Sequence, residues 1–192
     1  MNTALQIVKA LSFTVWQAFL SMLIALGVGL WASYYTAKKK SLFARFLSSL
    51  SAVPLCVPPL LVALGFVLFY GMNGNANRFL MSVFSLKESP LSFLYSFTGI
   101  IVAHGFYNFP LVMRTCSDIW ASLPEEEEEA AALLGSSKWR IFRTITLYQI
   151  SSALASSGIL VFLYCFFSFI IVLLFGSVGG TTIEVEVYRA AR

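Results

Sequence analysis

The sequence predicts an all-α integral membrane protein with four transmembrane helices and a helix-turn-helix segment between the third and fourth. Three observations lead there. Of the 192 residues, 58% are hydrophobic and only 11% charged, with a mean hydropathy of +0.81; a soluble globular domain carries about 25% charged residues. Four charge-free stretches, 10–37, 46–77, 89–113 and 144–183, reach the roughly 20 residues that a helix needs to cross the hydrocarbon core. Basic residues also alternate between the segments that join these stretches. A chain so poor in charge lacks the polar surface to coat a water-exposed globule. Its net charge of +4 does not point to nucleic acid, because the basic residues border apolar spans, where they set topology.

The helices are expected at about 12–36, 47–70, 91–113 and 153–176. The last charge-free stretch is too long for one crossing at about 1.5 Å rise per residue, so its start is placed along the interface. Lys38, Lys39, Lys40 and Arg45 follow the first helix, and Arg114, Lys138, Arg140 and Arg143 follow the third. The positive-inside rule puts both connections in the cytoplasm and both termini of this chain outside it. Trp31, Tyr34, Tyr35 and Tyr70 sit at helix ends, where aromatic rings favour the membrane interface. The first apolar run is longer than a signal-peptide core and ends in lysines, so no cleavable signal is expected. Cys56, Cys116 and Cys165 have neither metal-ligand spacing nor a disulfide pattern.

Two spans carry irregularities. Pro54, Pro58 and Pro59 fall in the second, where each removes a backbone donor and the freed carbonyl needs protein or a water-lined cavity. They mark either an ordinary kink or a pathway. The third span holds His104 and Asn108 in "AHGFYNFPLVMR". Four residues apart, they share a helix face, and polar groups at membrane depth turn to the bundle interior. They serve either an interhelical hydrogen bond or a pathway contact. "SSALASSG" opens the fourth span, and its small residues suit close helix packing. Neither a metal site nor a catalytic group is expected, because His104 is the single histidine and no nucleophile–base pair stands at a usable spacing.

The connection at about 122–147 is the most informative. Ser122 and Glu125 fit a capping box with Pro124 in the first turn. The glutamates at 125–129 complement the helix dipole, and the alanines and leucines at 130–134 favour helix. Gly135 fits the position just past a helix end, where φ is positive. Ser136 or Ser137 can cap a second helix, with Trp139, Phe142, Ile145 and Leu147 along its apolar side.

Within "EAAALLGSSKWRIFRTITL", Glu129, Ala130, Ala131, Gly135, Ile145 and Leu147 reproduce the spacing of the EAA loop, and the segment resembles that of type-1 ABC transporter permeases. The family pattern has proline after the leucine, where this chain has Tyr148. "FTVWQAFLSMLIALGVGL", "PPLLVALGFVLFYGMNG", "IIVAHGFYNFPLVMR" and "TTIEVEVYRAAR" are similar to the ferric-iron and thiamine import branch. The resemblance implies a permease subunit of an ATP-driven importer in the inner membrane, multi-pass and without a cofactor. ATP hydrolysis would belong to separate cytoplasmic ABC ATPase subunits, met through the six EAA-loop residues. It also implies a second permease domain or a homodimer, membrane lipid around it, and an extracytoplasmic substrate-binding protein. Ferric iron or thiamine is the expected substrate. Residues 1–192 would form a single, incomplete permease domain, since type-1 domains usually have at least five or six helices. The alternative is a secondary transporter or channel without an ATPase, which the lack of charge in the span cores disfavours.

Overall fold

The computed structural model describes residues 3–38, 41–51, 56–176 and 182–191. Among these, every regular element is helical. In chain order they are α1 (Thr3–Lys38), α2 (Leu42–Leu50), α3 (Pro59–Tyr70), α4 (Asn75–Phe84), a 3-10 turn (Phe93–Tyr95) and α5 (Phe97–Ser122). Then come α6 (Glu126–Leu133), α7 (Lys138–Gln149), α8 (Ser151–Phe166), α9 (Ile170–Phe175) and α10 (Ile183–Ala190). Helix α7 widens to π-helical geometry over Phe142–Thr146 and meets α8 at a 67° bend.

The centre of the bundle is α1 packed along α5, with α8 against both. The sequence of α1 explains this. Thr14, Ala18, Ser21, Ala25 and Ala32 recur every three to seven residues and are all buried, so they form one narrow face of small side chains. Val15, Phe19 and Leu23 lie off this face and are exposed. A small-residue face turned inward and a large apolar face turned outward suit a helix surrounded by lipid, where close backbone approach drives association. Gly29 marks the tightest approach. A Cβ there would stand 2.5 Å from Val112 Cβ and 3.0 Å from the Phe109 carbonyl oxygen, so any side chain forces α1 and α5 apart.

Among the described residues, the apolar core falls into two clusters. Ala18, Ala25, Val112, Cys116, Val161 and Cys165 join α1, α5 and α8. Phe66, Leu94, Ile100, Ile171, Phe175 and Val185 join α3, α5, α9 and α10.

Among the described residues, Leu5–Lys38 and Pro59–Phe84 are by length and composition apolar enough to cross a membrane, and α7 with α8 makes a third if the bent pair counts as one. Helix α5 has 26 residues but stands outside that set, because His104, Asn108 and Arg114 dilute its apolar character.

The helix bounds differ from those read off the sequence. Helix α1 runs beyond 12–36 at both ends. The stretch 47–70 is not one helix: α2 ends at Leu50 and α3 begins at Pro59. Pro58 and Pro59 fix the start of α3, since proline suits the first turn and cannot continue a preceding helix. Pro54 lies outside the described residues. The expected helix at 91–113 is α5, which starts after the 3-10 turn and continues to Ser122. The stretch 153–176 is broken at 167–169 between α8 and α9.

Candidate functional site

The 122–149 segment is built at the ends of α1 and α5. Ser122 is the last residue of α5, and its hydroxyl donates to the Ile119 carbonyl at 2.7 Å. The expected capping box therefore does not form. Pro124 steers the residue before it away from helical geometry, and Leu123 is extended at φ −70°, ψ 137°. Helix α6 then starts at Glu126 without a side-chain cap. Its first-turn glutamates, Glu126, Glu127, Glu128 and Glu129, face the positive end of the helix dipole.

The end of α6 follows the local chemistry closely. Gly135 has φ +82°. Its N–H donates to the Ala132 carbonyl at 3.0 Å, and the Ser136 N–H to the Ala131 carbonyl at 3.0 Å. This pair of bonds is a Schellman turn, which satisfies carbonyls left free at a helix end. Ser137 then caps α7, accepting from the Arg140 N–H at 3.3 Å.

Polar and aromatic contacts fasten the segment to the bundle. Lys38 at the end of α1 donates to Glu125 Oε1 at 3.2 Å and Glu128 Oε2 at 3.1 Å. The Thr146 hydroxyl donates to Glu128 Oε1 at 2.7 Å, and Gln149 Nε2 to Glu127 Oε2 at 2.8 Å. Tyr34 packs tilted against Trp120, and Trp120 stacks on Phe142, at centroid distances of 5.7 and 5.9 Å; Trp139 adds a fourth ring 5.6 Å from Phe142. A cavity of about 380 Å³ opens between these contacts, with Lys38, Trp120, Glu128 and Glu129 on its walls. Glu128 and Thr146 thus hold the base of α6, while Leu133 and Leu134 at its tip are 90% and 88% exposed.

The six EAA-loop residues lie on two neighbouring elements. Glu129 and Ala130 are exposed on α6, Ala131 is half-buried there, and Gly135 makes the turn. Ile145 and Leu147 are half-buried on α7. Spacing within the segment could not reveal Lys38, which comes from 90 residues earlier in the chain than Glu128.

His104 and Asn108 lie apart from this segment, in the middle of α5. Both are buried. Gln17 Nε2 donates to the Cys165 carbonyl at 2.7 Å, which turns Gln17 Oε1 toward His104 Nδ1 at 3.1 Å. An amide oxygen only accepts, so Nδ1 carries a proton. In the neutral ring Nε2 then accepts from the Ser168 hydroxyl at 2.8 Å. Asn108 donates to the His104 carbonyl at 2.9 Å. The network ties α1 and α5 to the break after α8. A cavity of about 700 Å³ lies beside it, bordered by Pro59, His104, Asn108 and Ser168. Pro58 is the cap residue of α3 and is exposed. Gln17 is a polar residue within the apolar run "FTVWQAFL", a pattern that marks an inward-facing position but does not identify His104 as its partner.

These features define a class: a helical membrane protein whose bundle carries an outward-projecting helical turn. A family model described as "Binding-protein-dependent transport system inner membrane component" matches residues 9–190, and the chain belongs to this family. It is 31% identical over 180 residues to the thiamine transport system permease protein ThiP of Escherichia coli strain K12, covering 93% of this chain and 33% of that protein. ThiP of Brucella abortus strain 2308 is 34% identical over 188 residues, with the same two coverages of 93% and 33%. A putative 2-aminoethylphosphonate transport system permease protein, PhnU of Salmonella typhi, is 34% identical over 137 residues, or 71% of this chain and 47% of that one. The chain thus spans about a third of the length of the ThiP relatives. An inward-facing structure of the MetNI methionine ABC transporter shares the fold, with a TM-score of 0.67 and 14% identity over 98% of this chain and 82% of that one.

Proposed function

We propose that this chain is part of the permease of an ATP-driven importer, and that α6 with its Gly135 turn is the surface that meets a cytoplasmic ATPase. One observation carries the reading. The segment with EAA-loop spacing projects a short helix whose base is tied to α1 and α7 while Leu133 and Leu134 stand unburied at its tip. Exposed leucines beyond a polar base suit a protein contact. Glu129, Ala130, Ala131 and Gly135 form the docking face, and Ile145 and Leu147 seat α7 beneath it. Closure of paired ATPase subunits would push α6, and Lys38 and the Tyr34–Trp120–Phe142 stack would pass that motion to α1 and α5.

In this reading the chain crosses the inner membrane four times, through α1, the α3 region, α5 and the α8–α9 region. The termini of this chain and the α4 side face outward. A second permease domain, in the same protein or a partner copy, completes the path, lipid surrounds it, and an extracytoplasmic binding protein delivers the cargo. Thiamine is favoured over ferric iron by the names of the ThiP relatives. Family membership argues against a secondary transporter or channel.

Co-purification tests the coupling. An ATPase recovered with the detergent-solubilised chain, and lost in Gly135→Pro and Glu129→Lys variants that still insert in the membrane, supports it. Recovery unchanged in both variants overturns it.

A further inference from the structure

The cavity beside His104 lies where one helix begins and another is interrupted. Helix α3 begins at Pro59, α8 ends at Phe166, and α9 begins at Ile170; Pro59, Phe167 and Phe169 all border the same space. Interrupted helices at membrane depth are tolerated where they line a cavity, and in transporters they mark substrate sites. The volume of about 700 Å³ falls within the roughly 300–1,000 Å³ of small-molecule sites.

The chemistry of the wall is selective. Tyr107, Tyr164, Phe167 and Phe169 supply aromatic rings, and His104, Asn108 and Ser168 supply neutral polar groups. Among the described residues that line it, none is Lys, Arg, Asp or Glu. Among the described residues of the whole chain, no three His, Cys, Asp or Glu side chains converge. A bare multivalent cation held here would lose its hydration without gaining carboxylate ligands, and an oxyanion would find no cationic partner. Aromatic faces, by contrast, attract organic cations and stack on flat rings. Tyr164 and Phe167 are 56% and 67% exposed, so their faces are open at the mouth. His104 is already held at both ring nitrogens, by Gln17 and Ser168. It therefore braces the break at Ser168, between the two phenylalanines.

We propose that this cavity is a substrate-holding chamber that takes an organic, ring-bearing molecule, neutral or cationic, and excludes metal ions and oxyanions. The assignment rests on the permease reading above and deepens it.

The test uses the full chain in lipid nanodiscs and equilibrium dialysis with three probes: thiamine as a ring-bearing cation, 2-aminoethylphosphonate as an oxyanion carrier, and ferric iron. Saturable binding of thiamine alone is expected. Tyr164→Leu and Phe167→Leu keep apolar bulk but remove the ring face, and each should weaken thiamine binding roughly tenfold, a loss of cation–ring attraction. Tyr148→Leu, on α7 and outside the cavity, should leave it unchanged. Stronger binding of the phosphonate or of iron, thiamine binding indifferent to both leucine substitutions, or no saturable thiamine binding would each overturn the chamber; the last would mean that lipid or a second permease domain fills it. Thermal unfolding of each variant identifies misfolding, and Tyr164→Phe, which restores the ring, should then recover wild-type affinity; failure to do so also counts against the proposal. The ATPase recovery experiment runs in parallel. ATPase retained without thiamine binding removes the chamber and leaves the coupling role; thiamine bound without ATPase removes the coupling role and leaves the chamber.

Discussion

Lys38, the last residue of α1, is ion-paired at 3.1 Å to Glu128 in the first turn of α6. Both side chains are about a quarter exposed, at 22% and 25%. The pair joins the longest helix of the bundle to the short helix assigned to docking, and Glu128 accepts from Thr146 at the same time.

A double-mutant cycle of Lys38→Ala and Glu128→Ala should give a coupling of about 0.5–1 kcal/mol, the range for a partly exposed pair. The measurement is chemical or thermal unfolding in detergent. The coupling should shrink in high salt, because exposed charges are screened. A coupling indistinguishable from zero at low salt would mean that the Thr146–Glu128 and Gln149–Glu127 hydrogen bonds, and not Lys38, hold α6 in place.

Gly135→Ala should strain the turn after α6. An L-residue at φ +82° costs about 1–2 kcal/mol, although a Cβ there meets nothing within 4 Å. The cost is conformational and not steric, so Gly135→Asn, which tolerates this region better, should recover part of it. Amide hydrogen exchange across 130–137 reads both variants; identical protection in Gly135→Ala and the parent would argue against the Schellman turn.

The same turn shows what local sequence reveals. Gly135 and Ser137 act as expected because each answers to neighbours within four residues: a positive φ at one, a free N–H at the other. Ser122 does not, because α5 continues helical past Trp120, which packs between Tyr34 and Phe142 from other parts of the chain. Pro124 then moves the start of α6 to Glu126. The partners of His104 were equally out of reach, since Gln17 and Ser168 lie 87 and 64 residues away. The shared face of His104 and Asn108 was legible from their spacing, but what that face meets depends on packing.

Gly29→Val should destabilise the α1–α5 contact by about 1–3 kcal/mol, the usual cost of overpacking. The new Cβ would stand 2.5 Å from Val112 Cβ, so Val112→Ala in the same chain should restore part of the loss. Thermal unfolding of the two singles and the double tests this; simple additivity would contradict the close approach.

Gln17→Leu should cost about 1–3 kcal/mol, because it leaves the buried His104 Nδ1 proton without an acceptor. The Cys165 carbonyl, which loses its Gln17 donor, adds to the effect. Adding His104→Phe to Gln17→Leu should destabilise less than the sum of the two single changes, since two paired groups are then removed together. Unfolding midpoints of the three variants decide it.

The contact assigned to α6 is best read by photocrosslinking in cells that carry the complete transporter, with a benzophenone amino acid placed at Leu134, which is 88% exposed, or at Phe84 at the end of α4. The coupling role predicts an adduct from position 134, but not from 84, to a polypeptide that an ATP photoaffinity probe also labels. No nucleotide-labelled adduct at 134, or equal adducts at both positions, would contradict it.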